Sequence, residues 1–458
     1  MQRWVMTLLN LPRFARIACF VAAGSLLAAG SGEALPATLP YPPIATMVAG
    51  VGADRLKSDV ETLVNFGTRN DFSEQTSTAG HGVFAARDWI AARLRAIAAT
   101  AGGRMTVKLD TYLQAKTPKT PRAVTESSVI ATLQGSEPGR IYVMSSHFDD
   151  CDGHCTDGVG TAPGADDNGS SVAAVLEAAR VMAGTHFRGT IVFACFDGEE
   201  LGLWGSNHYA QELAAAHAPV LAVLNDDIIG NSTGGDGGSE KNVIRVFSQA
   251  LPAGTDLSRV NLVGSENDSP SRELSRFIAA VVPAYVDLSV RQIYRADRFL
   301  RGGDQESFQD AGFASAVRFV EAHENFTHQH QDVRVQDGVE YGDLPQFMDW
   351  QYLQVATQAN VASLATLALG PAPPSRVRLV LSRLGYDSTL RWTPAADAAS
   401  YEILWRTTDA PQWQYARNAG NVTQATVPVS KDDYILGVRS VDANGLPSPA
   451  VYPVAARE

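Results

Sequence analysis

Apolar positions recur at helical spacing over residues 53–66 and 82–100, where Val, Leu, Ile and Ala return every three or four residues. They then tighten into short, nearly continuous runs at 105–109, 128–133, 141–144, 190–196 and 218–224. Runs of this length, rich in Val, Ile and Leu, predict strands, the later ones covered on both faces. Helical patterns at 170–182 and 206–216 fall between them. The alternation predicts an α/β fold with a mostly parallel central sheet flanked by helices, which collects ligands beyond the carboxyl ends of its strands.

The pattern changes again near both ends. Helical sequence covers 345–369, Gly370-Pro-Ala-Pro-Pro374 reads as a stiff linker, and from 375 to 458 polar and apolar residues alternate at period two between turn residues. That predicts a small antiparallel β-sandwich. At the start, Arg3, Arg13 and Arg16 precede an apolar run over 17–29 and the small residues Gly30, Ser31, Gly32 and Ala34. This is the layout of a secretory leader over 1–34; an uncleaved anchor is the other reading. The run is shorter than the roughly 20 residues that cross a bilayer, and no later stretch is long and apolar enough. The expectation is an exported protein, periplasmic or extracellular and not membrane-embedded. A Pro-rich entry at 35–43 opens the larger domain, 35–369.

Composition narrows the partners. With 458 residues, 45% of them apolar, the chain can bury the cores of two or three domains. A net charge of −12 argues against nucleic acid or an anionic membrane, both of which need a basic surface. Of four cysteines, Cys19 falls in the leader and Cys195 in an apolar run, while Cys151 and Cys155 stand four apart. The pair reads as a small disulfide in an oxidising compartment or, with His154, as a zinc site.

Candidate chemistry sits at the ends of the apolar runs: His147-Phe-Asp-Asp150, then Gly164-Ala-Asp-Asp-Asn-Gly-Ser170, then Phe196-Asp-Gly-Glu-Glu200, then Asn225-Asp-Asp227. A pair of metal ions needs nitrogen and oxygen ligands, one carboxylate able to bridge, and an open position for water. His147 offers the nitrogen, and the two-residue step to Asp149 suits a carboxylate that holds the other ring nitrogen. Asp166, in a Gly-rich loop entering a helix, is placed to approach both metals. Glu199 and Glu200 point to opposite sides on extended backbone, one towards metal and one towards water.

In order and spacing, these motifs over 54–368 resemble the zinc aminopeptidases of peptidase family M28, of the bacterial secreted, leucine aminopeptidase type, with a phosphorylase/hydrolase-like fold. The resemblance implies two Zn2+ ions, one held by His147, Asp166 and Asp227, the other by the bridging Asp166, Glu200 and His328. It implies Glu199 as general base, Asp149 beside it in the catalytic group, and a cis peptide between Asp166 and Asp167. Asp226 is the rival to Asp227, and His330 to His328. Gln305 stands where the family usually carries histidine. Residues 375–454 resemble a fibronectin type III domain, with Trp392, Tyr401 and Trp405 at core-type positions.

The expected function is therefore a secreted aminopeptidase acting on peptide or protein N-termini. Tyr294, Phe299 and Phe308 are candidates for its side-chain pocket, and the carboxy-terminal module for binding another protein or a polysaccharide. Three other readings stand beside it. A carboxypeptidase would need a basic group for the terminal carboxylate, from Arg295, Arg298 or Arg301; a glutaminyl cyclase, or another amide hydrolase of the same fold, would change the reaction; and an inactive binding protein would have lost ligands or the base.

Overall fold

The computed structural model describes residues 33–457 apart from Ala253 and Arg383. Positions 1–32 of the expected leader lie outside the described residues. Glu33 and Ala34, assigned to that leader by the sequence reading, pair with Ala416 and Tyr415 on an edge of the carboxy-terminal sandwich. The Pro-rich entry also folds in part: Pro42 and Pro43 open the helix Pro42–Ala49, which buries Ile44, Met47 and Val48. Proline is tolerated there because the first helical amides have no intrahelical partner to lose.

Among the described residues, eight strands form the central sheet: β1 (Met105–Gln114), β2 (Val124–Leu133), β3 (Glu137–His147), β4 (Gly189–Phe196), β5 (Val220–Asp226), β6 (Val243–Ser248), β7 (Ser289–Ile293) and β8 (Ala316–Glu321). Their order across the sheet is β1-β2-β4-β3-β5-β8-β6-β7. The central strands β4, β3, β5 and β8 run parallel. The sheet as a whole is mixed, because β2 opposes both β1 and β4, and β6 opposes β8. β1 turns into β2 through the short connection 115–123, which suits an antiparallel neighbour; parallel neighbours need a longer crossover.

Every residue of β4 is buried, and period two divides them between two layers. Ile191, Phe193 and Cys195 join the core beneath the helices Ala53–Val64, Val83–Ala98, Ser171–Met182 and Trp350–Leu369. Val192, Ala194 and Phe196 meet Tyr209 and Phe308 on the opposite face. At roughly 25 cal/mol per Å² of apolar surface removed from water, this double coverage locks the strand's register, since a slip by one residue would exchange the layers. Asp349 caps the long helix Trp350–Leu369 by accepting from the Tyr352 amide. No helix among the described residues is long and apolar enough to cross a membrane.

The carboxy-terminal region is a sandwich of two sheets. One contains Glu33–Ala34, Tyr415–Gly420, Ser400–Thr407 and Tyr434–Val441; the other Gln424–Val427, Ser388–Thr393, Ser375–Val380 and Val454–Ala456. All pairings are antiparallel except that of the last strand, which runs parallel to Ser375–Val380. Trp392, Tyr401 and Trp405 lie in its core. The sandwich meets the larger domain through buried polar contacts: Arg406 contacts Asp268 at 2.6 Å, the Trp413 indole donates to Glu273 at 2.9 Å, and Arg276 donates to the Pro411 carbonyl at 2.7 Å.

Candidate metal centre

Three parallel strands deliver the site. β3 ends on His147, β4 leads through Asp197 and Gly198 to Glu199 and Glu200, and β5 leads into Asp227. β8, beside β5, carries Arg318, whose guanidinium lies 2.8 Å from Oδ2 of Asp227. His147 is buried; its Nδ1 faces the Asp149 carbonyl oxygen at 3.2 Å and Oδ1 of the same residue at 3.4 Å. The second oxygen of Asp149 accepts the Glu200 amide at 3.0 Å. One carboxylate therefore fixes both the imidazole and the turn that carries the glutamate pair.

The remaining nitrogen of His147, Nε2, is 3.3 Å from Oδ1 of Asp167 and 3.6 Å from Oδ1 of Asp227. The other oxygen of Asp167 is 3.0 Å from Nε2 of His330, which stands 2.9 Å from Oε1 of Glu200. Asp167 thus sits between two groups, each with an imidazole and a second carboxylate. One ligand atom each from His147, Glu199 and Asp227 lies within 4.8 Å of the others, as does one each from His147, Asp167 and Glu200. Such sets of nitrogen and carboxylate donors suit a divalent transition-metal ion.

Asp166 and His328 do not join this cluster, which corrects both assignments. Asp343 takes the amides of Asp166 and Asp167 on its carboxylate, at 2.9 and 2.7 Å. Held this way, the loop turns the two neighbouring side chains apart. Asp166 faces inward, accepting the Gly230 amide at 2.8 Å beside the buried Glu321. The cis peptide follows Asp167 and joins it to Asn168, one residue later than expected. His328 stacks flat on Phe347, with ring centroids 3.7 Å apart, and meets the Asn325 amide at 3.3 Å. Asp226 turns beneath the sheet to accept from Asn360 at 2.7 Å.

The electrostatics show a cluster short of positive charge. Burial pushes the Glu199 carboxyl well above its usual range, reinforced by Asp227 and Glu200 and opposed by His147. His330 is raised to about 11, first by Glu200 and, against the cost of burial, by Asp167. Burial acts against ionised Asp167, but His147 and His330 outweigh it and hold that carboxyl well below the usual range. Four carboxyl groups, those of Asp167 and Asp227 buried and those of Glu199 and Glu200 lining the cavity, surround two imidazoles, an environment that a bound cation would balance.

A cavity of about 650 Å³ opens on this group, with Asp167, Glu199, Glu200, Asp227 and His330 on one wall and Lys119, Arg298, Leu300 and Arg301 on another. Cys155 lines it too; it is disulfide-bonded to Cys151, so neither sulfur stands as a thiolate ligand and the zinc reading with His154 falls away. The expected aromatic lining is absent. Phe308 is a core residue, Phe299 projects into solvent under Arg295, and the Tyr294 hydroxyl donates to Pro411. Gln305 accepts from Asn225 at 3.3 Å and donates to Asp297 at 2.7 Å, a structural bridge away from the cluster. A larger cavity, of about 750 Å³, lies between Leu262 and the sandwich and contains no histidine.

The geometry has counterparts among known proteins. The profile of peptidase family M28 matches residues 128–337. A probable zinc metalloprotease of Pyricularia oryzae is 44% identical over 434 residues, covering 92% of this chain and 86% of the relative. The chain belongs to peptidase family M28. A second relative, the probable zinc metalloprotease Lema_P086240 of Leptosphaeria maculans, is 42% identical over 93% of this chain and 99% of its own. Among solved structures, the LapA aminopeptidase of Legionella pneumophila superposes with a TM-score of 0.53 at 18% identity, covering 78% of this chain and 80% of that one. LapB of the same organism gives 0.52 at 17%, over 74% and 79%. At such identities these two support the α/β fold and nothing finer.

Asp167 and His330 were within reach of the sequence. Both stand one or two residues from the positions first assigned, in Gly164-Ala-Asp-Asp-Asn and His328-Gln-His330. No local pattern pointed to Asp343 or Arg318.

Proposed function

We propose that this protein is an exported exopeptidase with two zinc ions that releases N-terminal residues from peptides. The observation that carries the reading is Asp167, one oxygen facing His147 and the other facing His330. His147, Asp167 and Asp227 would hold one ion, and Asp167, Glu200 and His330 the other. When bound, zinc supplies a polarised scissile carbonyl and a water whose pKa falls to about 7. Glu199, left out of both sets and lining the cavity, is the carboxylate that takes the proton of the attacking water and returns it to the leaving amine. Asp149 holds the imidazole of His147 by Nδ1 so that Nε2 faces the metal side. The acidic wall of the cavity, extended by Glu306, suits a protonated N-terminal amine. The zinc names of the full-length relatives and the leader-like start of the chain support the same reading.

One observation favours a second reading. The Arg301 side chain, 26% exposed, lies 3.5 Å from Oδ2 of Asp167 in the same cavity. Arg298 is already engaged by Asp297 and Glu324. A guanidinium with that access would receive the terminal carboxylate of a carboxypeptidase substrate.

Hydrolysis of aminoacyl-p-nitroanilides is compared with that of amino-blocked peptides bearing a free C-terminus, for wild type and Glu199→Ala, with chelator and with zinc restored. Anilide turnover that is lost in the variant at unchanged zinc content, and lost reversibly on chelation, supports the aminopeptidase. Turnover that survives both treatments rules out the mechanism. Cleavage confined to the blocked peptides establishes the carboxypeptidase.

A further inference from the structure

A second group of acids lies behind the catalytic turn. Glu126 stands on β2 and Asp197 just beyond β4, with Asp197 taking the Ser127 amide on Oδ2 at 2.8 Å. Asp71 reaches them from a separate element, the turn Asp71–Ser73. One oxygen from each of the three lies within 4.8 Å of the others. All three side chains are at most 1% exposed.

The feature that points to a ligand is the lack of donors. Both carboxyl oxygens of Asp71, both of Glu126 and Oδ1 of Asp197 face no N–H or hydroxyl donor; Asp71 meets only the carboxyls of Glu126 and Asp197. The Tyr112 hydroxyl oxygen is likewise buried without a partner. Burial chiefly, and then Glu126, Asp197 and Asp71, oppose its ionisation, so it lies beside the same group. None of the three acids forms an ion pair with lysine or arginine among the described residues. Three carboxyl groups this dry cannot all be charged unless a cation neutralises them.

We propose that Asp71, Glu126 and Asp197 form a cation site for a hard divalent ion of calcium size, distinct from the zinc centre. The donors are all oxygen, which selects against the softer ions that prefer nitrogen or sulfur. Calcium takes six to eight oxygen ligands at roughly 2.3–2.6 Å, and three carboxylates can supply up to six of them. Magnesium keeps several waters, for which a fully buried site has no room. Gly198 packs so closely that a Cβ there would stand 2.6 Å from Oε2 of Glu126. The ion would therefore brace the turn Asp197-Gly198-Glu199 from behind and hold the proposed base in place.

The test uses the full chain with its zinc restored, and counts calcium separately from zinc, so that failure of one site is not mistaken for failure of the other. Elemental analysis is expected to find one calcium per chain. Adding CaCl2 at about 1 mM to chelator-treated, zinc-restored protein is expected to raise Tm by several degrees, and MgCl2 to leave it unchanged. Glu126→Gln is expected to lose the calcium and the thermal response while keeping the zinc; Asp71→Asn serves in its place if that variant fails to fold. The proposal is overturned if wild type holds no calcium and gains no stability from it, or if either variant responds to calcium as wild type does. It is also overturned if Glu126→Gln is more stable than wild type with and without calcium, the result expected of three acids that merely share protons.

Discussion

Nε2 of His330 lies 2.9 Å from Oε1 of Glu200, and that contact, rather than any contact of His328, closes the second half of the proposed metal centre. His330→Ala is expected to lose one of two bound zinc ions and more than about 100-fold in turnover, because removing a direct ligand costs at least as much as removing the group that orients one. His328→Ala is expected to keep both ions, since its ring stacks on Phe347 outside the group. Zinc content and anilide kinetics of the two variants decide the matter. Zinc loss confined to His328→Ala would return the assignment to that residue.

The errors at Asp166 and His328 share a physical origin. Motif spacing identifies a loop that carries a ligand, but neighbouring residues point to opposite sides, and only contacts from distant segments choose between them. For the aspartate pair the choice is made by Asp343, which accepts both loop amides from a position far along the chain. The strand ends were legible because apolar runs must be buried, and His147, Glu199, Glu200 and Asp227 follow those runs directly. The mixed edges of the sheet were less so, since an antiparallel outer strand such as β6 leaves no mark on its own sequence. Arg318 was hidden by its place in an apolar strand, where an arginine reads as a break in the pattern.

Asp149 touches no substrate in the proposed mechanism, yet it holds both the His147 ring and the Glu200 amide. Asp149→Asn preserves the shape but offers Nδ1 a weaker acceptor. A fall of about 10- to 100-fold in zinc affinity or kcat is expected, with the fold unchanged by circular dichroism. Wild-type metal affinity and turnover together would show that the backbone carbonyl of Asp149 suffices.

Asp297 provides a pH signature one residue removed from the proposed zinc ligands, since Arg318 contacts both it and Asp227. Burial alone would raise its carboxyl, but Arg318 and Arg298 outweigh burial and hold it at about 2, below the ordinary 3.8. A depressed folded pKa means that the stabilisation is present above pH 3.8 and is lost as pH falls towards 2. The shift corresponds to about 2 kcal/mol. Wild type should therefore exceed Asp297→Asn by about that amount above pH 4 in urea denaturation, with the gap narrowing as pH falls. A gap independent of pH would mean that the carboxylate's charge is not what the arginines stabilise.

Asp268 and Glu273 face the sandwich with two arginines between them, Arg276 from their own domain and Arg406 from the other. Arg406 and Asp268 are at most 3% exposed at their side chains, so water cannot replace either partner. Replacing the arginine by methionine keeps much of the volume over Trp413, on which the guanidinium rests at 5.6 Å, but leaves two buried acids against one cation. Breaking one side of such a group costs about 3–5 kcal/mol. Arg439, paired with Glu402 within the sandwich at 2.7 Å with side chains 14% and 15% exposed, is the comparison; its loss should cost less, because water still reaches both partners. Urea denaturation followed by both tryptophan fluorescence and peptidase activity should show the two transitions of Arg406→Met moving down together, because the interface ties the sandwich to the domain that holds the proposed metal centre. If Arg406→Met is no less stable than Arg439→Met, the buried charges do not couple the domains.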